Sequence, residues 1–255
     1  MEKEHILKSL KTGVRYDGRK LLEFRPVMVE QGVSGSAEGS ARVRIGETDV
    51  FVGVKMAVEK PYPDTPEKGN LMVNSELRPI SNPAFEAGPP GDQSIEIARV
   101  VDRGLRESKA IKAESLCIIP KEKVWSVMID ICPLNDAGNL LDAAALGAIS
   151  ALKNTKYPQL LEDNTVNWEI KTDKKISIAN EPIEITVIKI GEFMLVDPTP
   201  EEEAFVDARL TVAVSKDGTI HALQKGGETP LSAEEIDKMI AIVQDKSKEL
   251  RKFIK

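Results

Sequence analysis

A chain of 255 residues, 41% hydrophobic and 30% charged, can bury a substantial core and sits near the size at which one domain becomes two. A net charge of −6 excludes polyanion binding over the whole surface, and 4% aromatic residues are too few for a base-stacking platform. Any nucleic-acid contact must therefore come from a local basic patch acting on phosphates.

In chain order, Lys3 to Leu10 reads as a short helix. The segment MEKEHILKSLK is charged and amphipathic, unlike a signal peptide. A turn, VRYDGRK, follows. From Val27 to Val58 apolar and polar residues alternate as in paired strands, with Gly46, Glu47 and Thr48 supplying a hairpin turn. The proline-rich stretch from Pro61 to Gly91 is expected to be loop, with one short strand in LMVNSEL.

Asp92 to Ser108, DQSIEIARVVDRGLRES, has the helical period. Ile97, Val100, Val101 and Leu105 gather on one face, and Arg99, Arg103 and Arg106 on the other. Asp92 or Ser94 is expected to cap its start. Three guanidiniums at i, i+4 and i+7 form a rail suited to phosphate. On pattern alone the competing reading is a solvated helix face.

Two strand-like runs follow, ESLCIIP and KVWSVMIDICPL, then a small-residue helix in DAGNLLDAAALGAISALKN. Its Ala143–Leu152 stretch, the longest apolar run, is too short to span a bilayer, so no membrane contact is expected. Tyr157 to Glu181 reads as a polar crossing. A second sheet is expected in PIEITVIKIGEFMLVDP, ARLTVAVSKDG and TIHALQKGG. Ser232 to Glu235 forms a capping box for a last helix with the stripe Ile236, Met239, Ile240, Val243 and Leu250. The order of elements implies an α+β fold of mixed sheets with packed helices, as one unit with approximate halves 1–155 and 156–255.

Familiar chemistries are absent. His5 and His221 fit no metal or triad pattern, and no glycine-rich nucleotide loop occurs. Asp136 reads as the cap of the small-residue helix, and Trp125 and Trp168 as core or interface residues. Cys117 and Cys132 lie in apolar runs with no zinc spacing and read as buried thiols of a reducing cytoplasm. No metal and no cofactor is expected.

Four separated motifs occur in order: RYDGR, GSARVRIGETDVFVGVK, GPPGDQSIEIARVVDRGLRES and LVDPTPEEEAF. Together they resemble the RNase PH-like proteins of the archaeal exosome ring over nearly the whole chain, most closely the larger, non-catalytic ring subunit. The resemblance implies the RNase PH fold, related to ribosomal protein S5 domain 2. It also implies a hexamer of three heterodimers with a catalytic RNase PH-like subunit, RNA-binding cap proteins above it and single-stranded RNA as substrate.

The departures from the catalytic pattern bear on activity. Catalytic relatives begin the small-residue helix with Gly-Ser-Arg or Gly-Thr-Arg, which holds the attacking phosphate. Here Gly138 is kept, but Asn139 and Leu140 replace the hydroxyl and the arginine. A leucine supplies neither charge nor a side-chain donor. At the acidic site Asp197 is retained, and the catalytic acid falls at Glu203 in a loop stiffened by Pro198 and Pro200. Arg99 and Arg103 match positions that contact RNA phosphates in the family. For Arg106, the alternative is a pair with Glu107 or a neighbouring subunit. The leading expectation is thus a non-catalytic, RNA-contacting subunit. The alternatives are a self-sufficient phosphorolytic exoribonuclease using Asp197 and Glu203, and a ring scaffold that makes no RNA contact.

Overall fold

The computed structural model describes residues 3–254; Met1 and Glu2 of the charged N-terminal stretch lie outside them. The alternating segments form β1 (Val27–Gln31), β2 (Gly39–Ile45) and β3 (Thr48–Glu59). β2 and β3 meet in a two-residue turn at Gly46, whose φ of 57° suits glycine. β4 (Asn70–Ser75) arises inside the proline-rich segment. β5 (Cys117–Ile119) and β6 (Lys123–Asn135) complete a sheet in the order β1-β2-β3-β6-β4, with β5 on β6. β4 runs parallel to β6, and the other pairs are antiparallel.

The second sheet has the order β10-β9-β11-β12, built from β9 (Ile183–Ile190), β10 (Phe193–Val196), β11 (Ala208–Val214) and β12 (Ile220–Gly226). α3 (Leu140–Asn154) packs against both sheets, and its alanine face lies in the core they share. Gly147 allows the approach: a Cβ there would stand 2.6 Å from Val52 Cγ2. α2 (Asp92–Glu107) lies along β4 and touches β12, while α5 (Ala233–Leu250) covers β9 and β11. α1 (Lys3–Leu10) buries Ile6 and Leu10 in a smaller cluster with Ile188, Ile190 and Leu195. The expected α+β architecture is the observed one.

Three local expectations need correction, and one segment holds structure that its sequence did not mark. The polar crossing contains two strands, β7 (Lys156–Leu160) and β8 (Val166–Lys175), paired as a separate ribbon. Most of β8 is exposed on both faces, so no alternation marks it in the sequence. Neither Asp92 nor Ser94 caps α2: Gly91 is the N-cap, and the buried Ser94 hydroxyl donates to the carbonyl of Ser75. Asp136 does not cap α3; its Oδ1 accepts from Gly138 N at 3.0 Å, which shapes the turn before the helix. Both cysteines are half-buried rather than buried. Trp125 is in the core, but Trp168 is exposed, with Lys55 Nζ 4.9 Å from its ring centroid.

Candidate functional site

The acidic loop leaves β10 at Asp197, which adopts a left-handed φ of 50° and turns the chain into α4 (Pro200–Glu203). Thr199 caps this single turn in a capping box with Glu202. Arg15, 2% exposed, fastens the loop from below. Its Nε donates to Glu202 Oε1 at 2.8 Å, and its two terminal nitrogens reach the carbonyls of Val196 and Asp197, each at 2.8 Å.

Asp197 is fully buried, and both its oxygens are occupied. Oδ2 accepts from Arg19 Nη1 at 2.7 Å and from Arg25 N and Nε, each at 2.8 Å. Oδ1 accepts from Arg25 Nη2 at 2.6 Å and Asn139 Nδ2 at 2.9 Å. Burial alone would raise this acid, but the hydrogen bonds and charge of Arg25 overcome it and hold the carboxyl below its ordinary value. Asp197 is therefore an ionised anchor with no proton to give.

Asn139 is the N-cap of α3, with a left-handed φ of 62°. Its backbone N–H, at the helix end where an anion is favoured, already donates to Glu203 Oε1 at 2.8 Å. Leu140 is 5% exposed and belongs to the core. The positions expected to replace a phosphate pocket are thus brought together, and an internal carboxyl sits on the helix terminus. Burial of the Glu203 carboxyl, less the Asn139 hydrogen bond, pushes it up to about 7.

One turn along α3, Asp142 is fully buried and accepts from Thr186 N at 2.8 Å. Burial pushes its acid up to about 8, against the pull of the Thr186 and Asn139 hydrogen bonds. Glu184 is raised as well, by burial and then by Asp142 beside it. The folded chain thus holds the Asp142 proton more tightly than the unfolded chain, whose carboxyl titrates near 3.8. Burial therefore leaves stability unaffected at low pH, costs more as pH rises from 3.8 to about 8, and is constant beyond. The cost grows by at most about 1.4 kcal/mol per pH unit. Urea midpoints between about pH 5 and 8 should fall for the natural chain and fall less steeply for Asp142→Asn; equal slopes would contradict the assignment.

On α2 the three arginines point away from the core, and all are exposed. With β4 they border a groove of about 370 Å³. Among the described residues Arg103 makes only long contacts, 3.3 Å to Gln224 Oε1 and 3.5 Å to the carbonyl of Leu223. Arg106 is committed: Nη2 and Nε donate to Asp102 at 2.6 and 3.1 Å, and Nη2 also reaches the carbonyl of Leu71 at 2.9 Å. Its partner is the i−4 aspartate rather than Glu107, because side chains one apart on a helix diverge.

Sequence reading missed the roles of Arg15, Arg19 and Arg25. The signal was present in RYDGR, whose two arginines both turn to the acidic loop 178 to 187 residues away. Among the described residues no group of acidic, histidine and cysteine side chains is arranged to hold a metal, and no helix is long and apolar enough to cross a membrane.

Residues 23–158 match the 3′ exoribonuclease family, domain 1, and residues 180–245 match domain 2. The exosome complex component Rrp42 of Methanopyrus kandleri is 42% identical over 100% of this chain and 96% of its own. That of Methanocella arvoryzae is 44% identical over 98% and 94%. Among solved structures, a chain of the Archaeoglobus fulgidus exosome with RNA bound to the active site superposes with a TM-score of 0.92 at 43% identity. It covers 99% of this chain and 97% of the other. A chain of an archaeal exosome core gives 0.87 at 40% identity, over 99% and 96%. Rice Rrp46, 18% identical with a TM-score of 0.68 over 94% and 97%, shares the fold. This protein belongs to the RNase PH family of 3′ exoribonuclease-related proteins.

Proposed function

We propose that this chain is a non-catalytic, RNA-contacting subunit of an archaeal-type exosome ring. It would support phosphorolytic 3′→5′ RNA degradation by a catalytic RNase PH-like partner, within a cytoplasmic hexamer of three heterodimers that carries RNA-binding cap proteins. The observation that carries this reading is the filled anion position at the start of α3. Glu203 takes the Asn139 N–H, Leu140 turns into the core, and Asp197 is bound by Arg19 and Arg25. At the Asn139 N–H an attacking phosphate would meet the Glu203 carboxyl in place of a free donor.

Arg99 and Arg103 are the proposed RNA contacts, because both are exposed and neither is held in a short ion pair among the described residues. Arg106 is proposed to set the groove's shape through Asp102 and Leu71 rather than to bind RNA.

The test is phosphate-dependent shortening of a labelled, unstructured RNA by this chain, by a catalytic RNase PH-like partner, and by the two assembled. The expected result is no shortening by this chain alone and a gain on assembly. Shortening by this chain alone, abolished in Glu203→Gln, would instead assign it a working active site.

A further inference from the structure

A second basic surface lies away from the arginines of α2. A groove of about 680 Å³ opens between the turn joining β11 to β12 and the C-terminal end of α5. Lys216 stands on the turn. Lys248 stands on the last turn of α5, and Arg251 and Lys252 on the short helical turn that follows it. The two walls are fastened together. Gln244 Nε2 donates to the carbonyl of Gly218 at 3.1 Å, and Arg251 donates to the carbonyls of Glu181 at 2.6 Å and Val214 at 3.1 Å.

The lysines on these walls are exposed and uncommitted. Among the described residues the side chains of Lys216 and Lys252 make no ion pair or hydrogen bond, and Lys248 meets Asp245 only at 3.5 Å. The one acid in the lining, Asp217, is occupied by its own turn: Oδ1 accepts from Thr219 N at 3.0 Å and Oδ2 from Thr219 Oγ1 at 2.9 Å. Cations at a helix C-terminus complement the helix dipole, which accounts for Lys248, Arg251 and Lys252. It does not account for Lys216, which the turn places on the opposite wall.

Four cations against one acid, on a chain whose net charge is −6, select an anion. No apolar side chain lines the groove. A protein segment draws its binding energy from apolar and aromatic anchors, whereas a phosphodiester chain is held by charge. The charges are spread over two walls, which suits a run of phosphates passing between them better than one enclosed anion. Without an aromatic ring in the lining there is no base stacking, so recognition is indifferent to sequence.

We propose that this groove binds the phosphodiester backbone of a single nucleic-acid strand, with Lys216, Lys248 and Lys252 neutralising phosphates and Arg251 holding the helix wall in place. The groove is separate from the arginines of α2. Arg103 reaches β12 at Leu223, and five residues, at most about 17 Å of extended chain, separate Leu223 from Gly218 at the groove. The inference stands apart from the proposed ring function, because it needs neither Arg99, Arg103 nor a partner subunit.

The experiment measures binding of a labelled, unstructured RNA to the full chain across a salt series, in an Arg99→Glu/Arg103→Glu background. Lys216→Gln/Lys248→Gln/Lys252→Gln removes charge from exposed side chains without placing acids at a helix C-terminus. It is expected to weaken capture at low salt at least about tenfold and to make the log–log salt slope shallower by about 2, at roughly 0.7 per phosphate. Lys8→Gln/Lys11→Gln/Lys238→Gln removes the same charge from exposed positions outside the groove and should leave both nearly unchanged. Loss confined to the groove variant supports the proposal. Equal losses in the two variants would overturn it, because they would report net charge alone. Equal affinity for an oligoglutamate peptide would overturn it in favour of an acidic protein segment, and no RNA binding by the background chain at low salt would overturn it outright.

Discussion

Replacing Arg99 and Arg103 together by glutamate is expected to weaken RNA capture by the assembled ring at least about a hundredfold at low salt. Each charge-assisted hydrogen bond to phosphate contributes roughly 1.5–3 kcal/mol, and the substituted carboxylates add repulsion. The salt dependence should become shallower by about 0.7 in log–log slope for each phosphate of a single strand that is no longer neutralised, about 1.4 for both. The fold should tolerate the change, because both side chains are exposed and the core face of α2 is formed by Ile97, Val101 and Leu105. Arg106→Ala is the control: its guanidinium is engaged by Asp102 and Leu71, so RNA capture should change little. The measurement is RNA binding by the ring across a salt series. Unchanged binding and slope in the double variant would favour a scaffold that does not touch RNA.

Asp197→Ala is expected to be the most destabilising single change at the site, at about 3–5 kcal/mol. The carboxylate is fully buried and accepts from Arg19, Arg25 and Asn139, and its removal strands two arginine side chains that are themselves only 10% and 13% exposed. It also releases the turn that carries α4 and Glu203. Asp197→Asn should be less damaging than Asp197→Ala, since it keeps the side-chain volume and one acceptor, although it loses the charge and turns its amide NH2 toward N–H donors. This behaviour is the reverse of that expected for a catalytic acid, whose removal commonly relieves local strain at little cost in stability. Denaturant midpoints of the two variants check the prediction, and a full-stability Asp197→Ala would contradict the structural role assigned to the carboxylate.

The amino-acid sequence by itself determined the elements whose periodicity is strong. The alternation of β2 and β3, the apolar face of α2 and the capping box of α5 all follow from residues a few positions apart, and each is observed. The i,i+4 pair of Asp102 and Arg106 was equally local, yet pairing Arg106 with Glu107 overlooked the direction of helical side chains. The ribbon of β7 and β8 left no trace, because its exposed faces impose no pattern on residue type. Asn139, Leu140, Asp197 and Glu203 could be singled out from the chain by their resemblance to a family motif. What each one does there was decided by tertiary structure. Asp197 meets Arg25 across 172 residues and Glu203 meets Asn139 across 64, and no local propensity encodes either meeting. A buried carboxylate takes its character from whichever charges the fold brings to it: two arginines keep Asp197 ionised, while burial raises Asp142 and Glu203.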